Sequence, residues 1–202
     1  MIIGAKYKVC RRLGSGVFEK CQNQKFSLSE ARHEKSNRGK RRKQVSDYGQ
    51  QLIEKQKIRF SYGISEKQLG NYVKEATTIK KVTPRDALFQ LLEARLDNTL
   101  YRLGIASTRR LARQMSSHGH FVVNGKRTTV PSFRLKEGDV VALREGSKSR
   151  TLFQGLDKKL AKVANPAWLS FDVKNLSAKI TGVPVNTETF LDFGSVLEFY
   201  SR

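Results

Sequence analysis

Residues Arg95–Arg127 read RLDNTLYRLGIASTRRLARQMSSHGHFVVNGKR, and the spacing within them decides the fold of this half of the chain. Leu96, Leu100 and Leu103 recur on one helical face, in a helix that Asp97 can start and Gly104 can end. Ser107 is placed to cap a second helix in which Leu111 and Met115, four apart, point inward. Arg109, Arg110 and Arg113 then share the opposite side, and no acidic residue of that helix offsets them. HFVVNGKR alternates about Asn124-Gly125, the dipeptide of a type I′ hairpin, which sets Lys126 and Arg127 beside the arginines. The planar guanidinium fork donates in parallel pairs to phosphate. Carrying it on rigid helices reduces the entropy lost on docking, which suits folded RNA, a ligand recognised largely by shape.

Upstream, three more helices are expected. In SDYGQQLIEKQKIRFSYG, Ser46 or Asp47 caps a helix with Leu52 and Ile53 inward and Lys55, Lys57 and Arg59 outward. SEKQLGNYVKEATTIK opens with Ser65 and Gln68 in capping-box spacing and continues with Leu69, Val73 and Ala76 as its apolar stripe. TPRDALFQLLEARL has Thr83 as cap, Pro84 in the first turn and Leu88, Leu91, Leu92 and Leu96 on its buried side. Downstream, FRLKEGDVVALRE predicts a turn at Glu137-Gly138 and a strand through Val140, Val141 and Leu143. AWLSFDV and AKITGVPV follow as short β-like pieces, and the chain ends in SVLEFYSR.

The 202 residues carry 39 Lys+Arg against 18 Asp+Glu, a formal net charge of +21 that speaks to the partner, nucleic acid before anionic membrane. Residues 1–45 hold 13 Lys/Arg against three Glu, densest in RHEKSNRGKRRK from Arg32 to Lys43. With so few large apolar groups this stretch is expected to be irregular until it meets a polyanion. No apolar run approaches a membrane span, MIIGAKYKV is too short for a secretory signal, and Cys10 and Cys21 fit a reducing compartment without a disulfide framework.

RLDNTLYRLGIASTRRLARQMSSHGHFVVNGK resembles the small RNA-binding module shared by ribosomal protein S4, some pseudouridine synthases and tyrosyl-tRNA synthetases. With SDYGQQLIEKQKIRFSYGISEKQLGNYVKEA before it, and LLEARLDNTLYRLG and EFYSR, the chain from about Arg11 onward is similar to the bacterial S4 family of small-subunit ribosomal proteins. The resemblance implies an α+β architecture: a basic irregular extension over 1–45, a helical domain over 46–93 with about 185–202, and an inserted module over about 94–184. In that module two helices pack on a small antiparallel sheet. It implies a structural constituent of the ribosome in the cytoplasm or an organelle, which binds small-subunit rRNA of the 16S type. There it clamps a helical junction of the 5′ domain and nucleates assembly of the subunit body. It implies contacts with neighbouring small-subunit proteins, the fifth among them, and with mRNA at the entry path, and an influence on accuracy.

The family's basic N-terminal segment maps onto Arg38, Lys40, Arg41, Arg42 and Lys43, and its RNA-facing helical residues onto Arg95, Arg102, Arg109, Arg110 and Arg113. His118, His120, Asn124 and Lys126 come from the hairpin, and Arg11, Arg12, Lys55, Lys57 and Arg127 complete the candidate set.

Some family members hold zinc with four clustered cysteines; Cys10 and Cys21 lack paired spacing, so a zinc-free form is expected. Gly14-x-Gly16 in LGSGVF has neither a third glycine nor a preceding strand, which speaks against a nucleotide fold. With three histidines and no nucleophile–base set, no enzyme, cofactor, small-molecule substrate or membrane partner is expected. The rival reading, a fragment of an RNA-modifying or tRNA-charging enzyme with the same module, lacks room for a catalytic domain.

Overall fold

The computed structural model describes residues 4–36, 45–156, 160, 165–172, 175–186 and 190–201. In chain order the elements are α1 (Lys6–Leu13), two 3-10 turns (Ser15–Val17 and Glu19–Cys21), α2 (Gln24–Ser36), α3 (Asp47–Tyr62), α4 (Glu66–Thr78) and α5 (Pro84–Glu93). There follow α6 (Leu96–Arg102), α7 (Arg109–Ser117), β1 (Phe121–Val123), β2 (Lys126–Thr128), β3 (Val140–Leu143) and the short α8 (Glu145–Lys148). A 3-10 turn (Thr151–Phe153), β4 (Leu169–Asp172), β5 (Ser177–Ile180) and α9 (Phe193–Ser201) complete the order. The chain forms an α+β fold of two compact units, Met1–Leu88 with Thr187–Arg202, and Phe89–Asn186.

The first unit is helical, and local sequence explains its starts. Ser46 caps α3 by accepting from Gly49 N, Ser65 and Gln68 form the full capping box of α4, and Thr83 accepts from Asp86 N at 3.2 Å. Gly63 closes α3 in the left-handed region (φ 63°), where a side chain would be strained. Leu69, Val73 and Ala76 are buried as their stripe predicts.

Three expectations are corrected in this unit. The N-terminal region is not irregular where it is described: α1, the 3-10 turns and α2 enclose a small core of Cys10, Leu13, Val17, Phe18, Cys21 and Phe26, with Ile53 and Phe60 of α3 against it. That core also joins Cys10 and Cys21 as a disulfide, Cα atoms 6.5 Å apart, because the second 3-10 turn folds back onto α1. Lys55, placed outward by sequence, is 7 % exposed. Gly14 and Gly16 are structural, since the Phe190 ring lies against both at the distance a Cβ would need.

In the second unit α6 and α7 pack with a five-stranded antiparallel sheet of order β2-β1-β3-β5-β4. Val123 opposes Lys126 across the hairpin, and Asn124 (φ 50°) and Gly125 (φ 77°) make the two-residue turn expected of that dipeptide. Leu96, Leu100 and Leu103 are fully buried with Met115, Phe121, Val141 and Leu143 in one core. The cap of α7 is Thr108 rather than Ser107; its side chain accepts from Leu111 N at 3.1 Å.

Candidate nucleic-acid interface

The arginines of Arg95–Arg127 divide into two groups with different fates. Arg95 is 1 % exposed and lays its fork on Asp97, Nε to Oδ1 at 3.0 Å and a terminal nitrogen to Oδ2 at 2.8 Å. Arg113 donates to the same Oδ2 from Nε and a terminal nitrogen, at 2.9 and 2.8 Å. Arg102 forks onto Glu93 at 2.7 and 2.8 Å, and Arg109 donates to Asn98 at 2.7 Å with its guanidinium 4.4 Å from the centre of Tyr101. Glu93, Asp97 and Asn98 are all buried, so this is an internal network that fixes α6 against α7. The backbone extends it: Leu96 N donates to Phe133 O and Asp97 N to Pro131 O. Arg95, expected to face RNA, is therefore placed in the interior, and Arg102, Arg109 and Arg113 have their donors largely taken by protein. Only Arg110 of the set is exposed.

The second group lies at the other end of α7. His118 caps that helix and its carbonyl accepts from Arg127 at 3.3 Å, while Gly119 (φ 69°) lies so close under the guanidinium that any side chain there would displace it. His120 is buried, with Nδ1 3.0 Å from Ser147 Oγ and its ring edge-on to Phe153 at 5.3 Å. Burial first, then the positive charge of Arg150, His118, Arg144 and Arg127, holds the His120 imidazole below its ordinary range. Contacts gather cations around His118 and His120: Arg127 bonds the His118 carbonyl, Arg144 N donates to His120 O, and Arg150 N donates to Ser147 O beside the His120 ring. Arg127, Arg150 and Lys126 are exposed and Arg144 is part-exposed. Arg144 and Arg150 were missed by sequence reading; the signal was available in LREGSKSR, directly after β3. The exposed Asn124 side chain is engaged within the hairpin: it donates to Asp139 at 2.8 Å and accepts from Val140 N at 2.9 Å.

In the first unit, α1 exposes Lys8, Arg11 and Arg12. Lys55 and Lys57 are paired within the protein. Lys55 Nζ is 2.7 Å from Glu66 and 4.3 Å from the centre of the Phe199 ring; Lys57 is paired with Glu54 at 2.7 Å and lies over Phe190. Burial raises the Glu66 carboxyl, but hydrogen bonds from Lys55, Tyr200 and Arg59 outweigh it and leave the group below its usual range. Tyr200 is pushed upward by burial and by its bond to Glu66. Arg38, Lys40, Arg41, Arg42 and Lys43 lie outside the described residues.

Comparison with known proteins identifies the family. Residues 2–93 match the family model of the ribosomal protein S4/S9 N-terminal domain, and residues 94–141 match that of the S4 domain. The chain is 39 % identical to small ribosomal subunit protein uS4 of Acetivibrio thermocellus, over 98 % of each chain. It is 42 % identical to that of Hahella chejuensis over 99 % of this chain and 98 % of the relative, and 41 % to that of Limosilactobacillus fermentum over 98 % of each. These relatives are ribosomal proteins, which sets aside the reading as a fragment of an RNA-modifying or tRNA-charging enzyme. The two models together span residues 2–141 and the relatives 98–99 % of the chain, and the chain belongs to the uS4 family of small ribosomal subunit proteins.

Proposed function

We propose that the protein is a primary rRNA-binding constituent of the small ribosomal subunit, acting in the cytoplasmic ribosome. The observation that carries this reading is the cationic surface of Arg127, Arg144 and Arg150 about His118 and His120, within the unit that contains the S4 domain. Such a surface neutralises phosphates at positions set by the fold, while the Arg95–Asp97–Arg113 network ties α6 to α7 in the same unit. Lys8, Arg11 and Arg12 on α1 offer a second set of cations. Family membership supports the finer role: clamping a multi-helix junction of the 5′ domain, nucleating assembly of the subunit body, lining the mRNA entry path beside the fifth small-subunit protein, and so influencing accuracy.

The direct test is to titrate the purified protein with a transcript of the small-subunit rRNA 5′ domain at near-physiological ionic strength, with a large-subunit fragment of equal length as competitor. Preferential retention of the small-subunit transcript is expected. Equal retention of both would reduce the protein to a non-specific polycation and contradict the reading.

A further inference from the structure

We infer that Gly119 is a positioning residue for rRNA binding: its missing side chain leaves the seat on which the Arg127 guanidinium rests, and so sets where that cation meets a phosphate. The inference deepens the rRNA-binding reading proposed above and rests on it.

The hairpin builds the seat. β1 and β2 pair with Val122 opposite Arg127, so the edge strand β2 carries Arg127 back beside the turn that leads from α7 into β1. There a terminal nitrogen of Arg127 donates to the carbonyl of His118, the C-cap of α7, at 3.3 Å. Carbonyls at a helix end lack an intrahelical partner, and the helix dipole favours a cation at that end. Gly119 follows, buried and in the left-handed region at φ 69°. A Cβ on it would strike Nε of Arg127 and stand 2.7 Å from Nη2 and 2.9 Å from Cζ, well inside the about 3.5–4.0 Å at which such atoms pack.

The seated charge is available to an anion. Arg127 is exposed, and among the described residues it has no carboxylate partner, unlike Arg95, Arg102 and Arg113. The bond it does make is to a neutral carbonyl. A free arginine loses rotamer freedom when it grips a phosphate, whereas a seated one has lost part of that freedom on folding. What a methyl group at 119 would displace is the far end of a flexible side chain rather than backbone, so the guanidinium moves and the strands stay. Alanine there also carries the strain of a positive φ. Gly155 supplies the matched control, since it has φ 67° and a Cβ on it would meet nothing within 4 Å.

The test is a double-mutant cycle in filter binding, with the full chain and the transcript of the small-subunit rRNA 5′ domain. Gly119→Ala is expected to weaken binding about tenfold, the effect of one charge-assisted hydrogen bond. In the Arg127→Ala background the same change should cost less than about twofold. The salt dependence of Gly119→Ala should fall toward that of Arg127→Ala. Gly155→Ala should lower the melting temperature as Gly119→Ala does, yet keep the parent's affinity and salt dependence. Equal losses from Gly119→Ala with and without Arg127, or no loss at all, would overturn the inference and leave Gly119 to serve the turn alone, with the rRNA-binding reading intact. If Arg127→Ala binds the transcript as the parent does, Arg127 is away from the phosphates, and the reading at this residue fails together with the inference.

Discussion

Asp97 is 3 % exposed and its carboxylate accepts from Arg95 and from Arg113, groups two and sixteen residues away. Removing one partner of such a buried ionic network leaves uncompensated charge in a low-dielectric interior. Asp97→Ala is therefore expected to lower unfolding stability by about 3–5 kcal/mol in urea titrations, whereas Arg110→Ala should change it by less than about 0.5 kcal/mol. This difference was not legible in the sequence. Helical spacing correctly puts Arg109, Arg110 and Arg113 away from the Leu111 side, but it says nothing of what the facing helix brings to meet them. An arginine paired with a buried carboxylate and one displayed to solvent look alike in a string of letters. His120 carries a second prediction. It is crowded by His118 at the end of α7, Arg127 on β2, and Arg144 and Arg150 flanking α8, and the fold keeps its imidazole neutral below the ordinary value of 6.5. The unfolded chain then binds the extra proton, so stability is lost as pH falls below about 6.5 and regained as pH rises to that value. Melting the parent and His120→Gln between about pH 5 and 7.5 should show a steeper acid loss in the parent; parallel curves would assign no such role to His120.

At the scale of elements, what is local was readable and what is distant was not. The capping box at Ser65 and Gln68, the cap at Thr83 and the Asn124-Gly125 turn each depend on three or four adjacent residues, and each stands where the letters put it. Lys55 shows the other case. On α3 alone it belongs to the polar side, yet α9 returns from the far end of the chain and sets Phe199 and Tyr200 over it, with Tyr200 donating to Glu66 at 2.7 Å. The N-terminal region is similar: its charge density suggested an irregular tail, while its scattered apolar residues, Leu13, Val17, Phe18 and Phe26, suffice for a small core once Ile53 and Phe60 join them. Lys55→Ala is expected to destabilise the first unit by about 1–2 kcal/mol, through the lost ion pair and cation–π contact. Its rRNA affinity and salt dependence should match the parent once both are folded, as filter binding can establish. A reduced salt slope would return Lys55 to the interface.

For the whole molecule, a net charge of +21 guarantees attraction to any polyanion and by itself explains no specificity. Specificity of the kind proposed needs cations set by the fold, and the molecule divides its arginines between an internal network and an exposed set. The central claim is that Arg127, Arg144 and Arg150, rather than the buried network, meet the phosphates. The measurement that tests it most directly is the slope of log binding constant against log salt concentration for small-subunit rRNA, in the parent and in the Arg127→Ala/Arg144→Ala/Arg150→Ala variant. Each lost phosphate contact removes about 0.7–0.9 from the slope, so the account predicts a fall of about 2–2.7 with little change in thermal stability. A variant that keeps the parent's slope would contradict it.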